Sequence, residues 1–255
     1  MTIRDSSDPG TWSFPLRVVT GNVNGWSWES KFGSNSAVGG TEEDIWNQGG
    51  TEALLSAAEQ MDIASTLAAD KGTPTAGTGA RTLVIFGLAS DYEPIRETII
   101  LNGASNVRTV NSYLRVHRMI VTTAGSGGIN AGDITATAAS AGSVHAKITA
   151  GNGQTQKTQY CVPANYYAIV TGFELGALRN DEAIIRARVR ELGAVFAVKR
   201  EINVFATAVI ATLDPPFIVS PKSDMKLTGT NTGAGNISIT AAYQFYLVSS
   251  DKVNM

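Results

Sequence analysis

Cysteine is almost missing from this sequence: of 255 residues, only Cys161 is one. A single cysteine excludes an intrachain disulfide and a thiolate-rich metal site. It stands in Tyr160-Cys161-Val162, an apolar strand edge, where the expected role is that of a small buried hydrophobe. Histidine is nearly as scarce, with two residues. His117 and His145 fall on separate strands, and no HxxxH, HxxE or CxxC spacing surrounds them. Neither a zinc site nor histidine catalysis is expected, and no cofactor is called for. Charge is low, at 16% of residues and a net of -2. Without a basic field, nucleic-acid binding by bulk electrostatics is not expected. No segment approaches the roughly 20 unbroken apolar residues that span a bilayer. The opening MTIRDSSDPG has no apolar core of the signal-peptide kind, so the expectation is assembly in a cytoplasm, with no membrane partner.

What the chain has instead is glycine (26 residues) and many small Ala, Ser and Thr residues, a composition of short strands and turns. With 43% apolar residues it can bury a real core, in one large β domain or two ordinary ones. Strand patterns recur at 81–88, 97–102, 113–121, 133–138 and 145–149. After a break at 151–156 they resume at 158–162, 168–175, 183–192, 196–205, 208–213, 217–219, 225–229 and 237–248. Turn chemistry separates them, as at Asp91–Pro94, Asn102-Gly103, Pro163–Asn165 and Arg179–Asp181. Asp214-Pro215-Pro216 is expected to stop a ladder, because proline lacks the donor. The last run alternates cleanly, with Ile237, Ile239, Tyr243, Phe245 and Leu247 facing inward. This spacing predicts an all-β, jelly-roll-like β-sandwich protein. The reading is two sandwiches in tandem, 51–153 and 154–255, behind an extended N-terminal arm and glycine-rich anchor over 1–50.

The arm holds three of the four tryptophans, Trp12, Trp26 and Trp28, and one short strand candidate, Leu16 to Thr20. It leads into KFGSNSAVGGTEEDIWNQGG, Lys31 to Gly50, which reads as neither helix nor strand yet carries Phe32, Val38, Ile45 and Trp46. Large apolar groups among glycines suggest backbone pressed against another surface, with the rings as pegs. Trp12, Trp26, Trp28, Phe32 and Trp46 are therefore the candidate partner contacts, with packing on the chain's own sandwich as the alternative. Glu52 to Met61 is the best helical run, although 62–67 could begin a strand. Arg186, Arg188 and Arg190 alternate with apolar residues, a row of guanidinium groups on one sheet face. They could grip acidic loops of a partner, though a solvated outer face is the commoner arrangement. Glu42, Glu43 and Asp44 could accept an arginine from another subunit. Gly77 to Arg81 (GTGAR) precedes a strand and lacks the lysine, so it is no phosphate loop. No catalytic constellation emerges, and a non-enzymatic protein is expected.

The run KFGSNSAVGGTEEDIWNQGG, followed by AGTGARTLVIFGL, ETIILNG and NSYLRVHRMIVTTAGSGGINAGDI, resembles virion structural proteins of tailed bacteriophages. The resemblance is strongest from Lys31 to Asp133. It continues more loosely through YCVPANYYAIVTGFEL, the arginine strand and DPPFIVSPKSDMKL. It implies a virion protein whose partners are the major capsid protein or other virion subunits, and a homo-oligomer, with a trimer among the candidates. Head decoration or cement is the leading expectation. A tail, adaptor or fibre-base component and a receptor- or glycan-binding module are the alternatives.

Overall fold

The computed structural model describes residues 12–177, 182–205 and 208–253. Residues 1–11 of the expected arm and the turn at Arg179-Asn180-Asp181 lie outside the described residues. The described chain opens with a short helix, α1 (Phe14–Val19), then β1 (Trp26–Val38) and β2 (Glu43–Asp44). Next come β3 (Glu59–Ser65), β4 (Ala80–Leu88), β5 (Pro94–Ile100), β6 (Val107–Tyr113), β7 (Arg115–Ala124), β8 (Ile134–Ala138) and β9 (Val144–Ile148). The last group is β10 (Tyr160–Cys161), β11 (Tyr166–Ala177), β12 (Glu182–Arg190), β13 (Ala197–Phe205), β14 (Ala208–Val219), β15 (Asp224–Asn231) and β16 (Ile237–Ser249).

These strands form two β-sandwiches, each built of antiparallel sheets around its own core. In the first, sheet β6-β3-β8-β9 shares a core with sheet β5-β4-β7, and Met61, Ile63, Leu83, Ile85, Met119 and Ile134 fill it. In the second, sheet β1-β16-β11-β14 faces sheet β10-β15-β12-β13, to which β2 adds on β15. Val170, Phe173, Ile185, Leu227, Tyr243 and Phe245 lie between them. The alternation of the last strand is realised, since Ile237, Ile239, Tyr243, Phe245 and Leu247 are all buried.

The extended arm over 1–50 needs correcting. From Trp26 onward it is sheet: β1 pairs with β16 from Trp26↔Val248 to Val38↔Ile237, and β2 pairs with β15. The first sandwich is thus inserted between the opening strands of the second and the rest of it. β1 carries a single glycine, Gly33, and there the absence of a side chain is required. A Cβ there would stand 2.2 Å from the Ile45 carbonyl oxygen. Close backbone approach is what the glycine-rich anchor provides, toward its own chain.

Three local expectations also change. Leu16–Thr20 is not a strand. Pro15 fixes the first turn of a helix, and Gly21, at φ 75, ends it. Glu52 to Met61 is not a helix. Glu52 turns inward, its N–H donates to Asp44 Oδ2 (2.9 Å) and its carboxylate meets a buried lysine. From Glu59 the period becomes two, and Met61, Ile63 and Ser65 point into the core. Asp214-Pro215-Pro216 interrupts the ladder without ending the strand. β14 continues past it, and the register with β11 jumps from Thr212↔Gly172 to Phe217↔Val170. β14 lies at the edge of its sheet, where a bulge and missing donors are tolerated.

Candidate interaction surface and the seam between the sandwiches

In β1, Lys31, Gly33 and Asn35 turn inward, so Trp26, Trp28, Ser30, Phe32 and Ser34 turn outward. The register carries this outer face across the sheet. Trp28 lies beside Tyr246, Tyr246 beside Ile169, and Ile169 beside Ile218. A second row runs Phe32, Ala242, Glu174, Ile210 by the same pairings. Strand spacing makes each row roughly 14 Å wide. Trp28 is 42% exposed, Ile218 48% and Ile210 82%, and Glu174 is the one charged group in the two rows. At one end α1 extends the surface. Phe14 packs edge-on against Trp26 at 5.1 Å and Tyr246 at 5.8 Å, leaving Phe14, Leu16 and Val19 exposed. Trp12, half-buried, precedes this helix. Outward positions on a solvated sheet ordinarily carry polar side chains. Between the two rows runs a polar one, Ser30, Gln244, Gly172 and Thr212, and Gln244 Nε2 donates to Glu174 Oε1 at 2.6 Å, so the apolar side chains form two exposed patches. Exposed apolar patches bordered by polar groups mark contact surfaces.

Three of the predicted contacts, Trp26, Trp28 and Phe32, therefore share one face. Trp46 does not join them. It is 2% exposed, its indole Nε1 donates to Gly50 O at 3.1 Å, and Lys157 Nζ lies 5.5 Å from its ring centroid. As a partner contact Trp46 is a correction: it is a peg, but one set in its own subunit. The arginine row lies on the other sheet, and its acceptors belong to this chain. Arg188 Nη2 donates to Glu42 Oε2 (2.7 Å), Arg186 Nε to Glu201 Oε2 (2.7 Å) and Arg190 Nη2 to Asp224 Oδ2 (2.5 Å). Burial would raise the Glu42 carboxyl, but hydrogen bonds from Arg188 and Thr228 outweigh it and hold the pKa at about 2. The arginines are committed within the subunit, and so is the acidic run expected to meet another one.

The sequence reading missed a polar seam where the sandwiches meet. Lys157 Nζ donates to Glu52 Oε1 (2.6 Å), His145 O (2.6 Å) and Val116 O (2.9 Å). Glu52 Oε1 also faces His145 Nδ1 at 3.1 Å. Arg115 Nε bonds Asp224 Oδ1 at 2.7 Å, and its Nη1 reaches Leu55 O at 2.8 Å. Lys31 Nζ donates to His117 O at 2.5 Å. His117 Nε2 accepts the Cys161 N–H (3.1 Å), and its ring stacks on Tyr160 at 4.2 Å. Burial, reinforced by Lys31, Lys157, Arg115 and Arg118, pushes the imidazole well below its ordinary pKa, so it is a neutral acceptor. Burial pushes the Cys161 thiol well above its usual value. No group of three or more potential metal ligands forms among the described residues. No local signal announced the seam, since Lys31 stands in Glu29-Ser30-Lys31-Phe32-Gly33 and Lys157 in Thr155-Gln156-Lys157-Thr158-Gln159, both largely polar.

No protein-family model matches the chain, and no curated protein matches it. Among solved structures, it aligns with infectious bursal disease virus, Gx strain, at 7% identity and a TM-score of 0.25. That alignment covers 89% of this chain and 73% of the other. The VP2 subviral particle of that virus gives 6% identity, the same coverages and the same TM-score. The T=1 particles derived from it give 9% identity, 89% and 70% coverage, and a TM-score of 0.24. Likeness at this level carries no inference about this chain.

Proposed function

We propose that this chain is a non-enzymatic structural subunit of a tailed-bacteriophage virion, a capsid decoration or cement protein. It lays the outer face of the β1-β16-β11-β14 sheet on the major capsid protein or another virion subunit. The observation that carries the reading is that face: Trp28, Phe32, Tyr246, Ile169, Ile218 and Ile210 project together from a four-stranded sheet. The sequence resemblance supplies the kind of particle. Burial of such a face on a neighbour contributes about 25 cal/mol per Å² of apolar area. Many modest contacts on a repeating shell act multivalently, and no catalytic group is required.

The test is attachment of the purified chain to particles that lack it. Trp28→Ser with Ile210→Ser is expected to weaken attachment by about 30-fold or more, the size of one strong hot spot. Arg190→Ala, on the other sheet, is expected to leave attachment unchanged. Copy number on mature particles separates the two virion locations, with hundreds for a shell and a handful or dozens for a tail or fibre base. Undiminished attachment of the double variant would rule out this face.

A further inference from the structure

Two lysines lie in the seam, and their surroundings differ. Lys157 Nζ has three acceptors, one of them the Glu52 carboxylate, which is what an ammonium with three N–H groups demands. Lys31, only 3% exposed, has a single acceptor among the described residues, the His117 carbonyl, and no carboxylate in ion-pair contact. An ammonium held that way makes one hydrogen bond to protein where Lys157 makes three. Burial, with Arg118 and Lys157 adding to it, holds the Lys31 amine well below its usual pKa. A depressed pKa enlarges the neutral fraction of this amine, which is its nucleophilic form.

That amine also borders open space. Lys31 lines a cleft of about 350 Å³ between the sandwiches, walled by Phe86, Leu88 and Ile95 on one side and Tyr166 and Leu247 on the other. Apolar walls with a few converging polar groups are the usual form of a small-molecule site. Glu29 lines the same cleft, two residues back along β1 on the same face as Lys31. Burial raises its carboxyl above the ordinary range, against the pull of Arg118 and Lys31.

We infer that this cleft takes a small carbonyl compound with an apolar body, an aldehyde above all, and that Lys31 captures it as an imine. Nζ adds to the carbonyl carbon, and one amine proton passes to the carbonyl oxygen. Glu29 protonates the resulting hydroxyl, which departs as water, and the remaining amine proton returns to Glu29. One C=N bond forms, one water leaves, and no oxidant or reductant takes part. The cleft is on the inward side of β1, away from the outer face of its sheet, so particle attachment and imine formation stand or fall separately.

The experiment treats the full chain with benzaldehyde and cyanoborohydride near neutral pH and maps the trapped secondary amines by mass spectrometry. Lys31 is expected to be labelled at least about tenfold faster than exposed lysines such as Lys199 and Lys252. Lys157, equally buried but paired, is expected to stay unlabelled. Ile95→Trp fills the cleft from its wall and is expected to abolish labelling at Lys31 while Lys199 and Lys252 react as before. Continued protection of Lys157, which is buried only in the folded chain, reports that the fold is intact. Glu29→Gln is expected to slow Lys31 labelling alone. The proposal is overturned if labelling simply follows exposure and spares Lys31, or if Ile95→Trp leaves Lys31 as reactive as before.

Discussion

The outer face of the β1-β16-β11-β14 sheet and the seam between the sandwiches invert one another's chemistry. On the face, Trp28, Ile210 and Ile218 stand in water, while in the seam Lys157, Glu52, Arg115 and Asp224 stand out of it. Each arrangement is unfavourable without a partner, and the partners come from different places. The seam's charges find theirs inside the chain, in bonds of 2.6 and 2.7 Å. Across most of its width the apolar face has none among the described residues. A misplaced group already matched is architecture, whereas one left unmatched points outward, to another molecule.

The sharpest way to break this contrast is to remove one member of a matched pair. Glu52→Ala leaves the Lys157 charge buried and uncompensated, with an expected loss of about 3–5 kcal/mol. By scanning calorimetry that is a fall in Tm of roughly 10 °C for a chain of this size. Replacing both partners, Glu52→Leu with Lys157→Met, should recover most of the loss, because no charge is then stranded. Equal losses in the single and double variants would mean that packing, and not charge, holds the seam.

The two kinds of tryptophan give the next test. Trp46→Ala empties a core site and is expected to lower stability by about 3–5 kcal/mol. Trp28→Ala, on the open face, should stay within about 0.5 kcal/mol in denaturant melts. Comparable losses at both positions would show that Trp28 is held by its own subunit.

The smallest effect belongs to the arginine row. The Glu42 carboxyl is depressed from 4.5 to about 2, so its contribution is present above pH 4.5 and is lost as pH falls toward 2. Because these groups are partly exposed, the contribution is about 1 kcal/mol or less. Thermal melts across that window should show Glu42→Gln removing part of the acid sensitivity. An identical acid slope in the variant would assign it to other carboxylates.

Much of the architecture was legible because its signals are local. The strict alternation from Ile237 to Val248 declared one face of β16, and the glycine and proline turns marked strand ends. The same alternation placed Tyr246 outward, so part of the apolar face was readable before any fold. What stayed hidden depends on contacts distant in sequence. β1 was read as an arm because Gly33 and its neighbours weaken strand propensity, and the pairing with β16 that overrides this comes from the far end of the chain. Glu52 sat in a good helical pattern, yet the ion pair with Lys157 decided its conformation. The arginines looked available because nothing in their own strand revealed that Glu42 would reach them.

The insertion of one sandwich within the other sets an order of events during synthesis. β1 leaves the ribosome before the inserted module and its partner β16 well after it, so β1 stays a bare ribbon edge while everything between them is translated. The inserted module, with all of its strands contiguous in the chain, can collapse on its own in the meantime. Closure of the outer module waits for β16, the slow, non-local step of such topologies and the interval in which an unpaired strand is most open to a wrong partner.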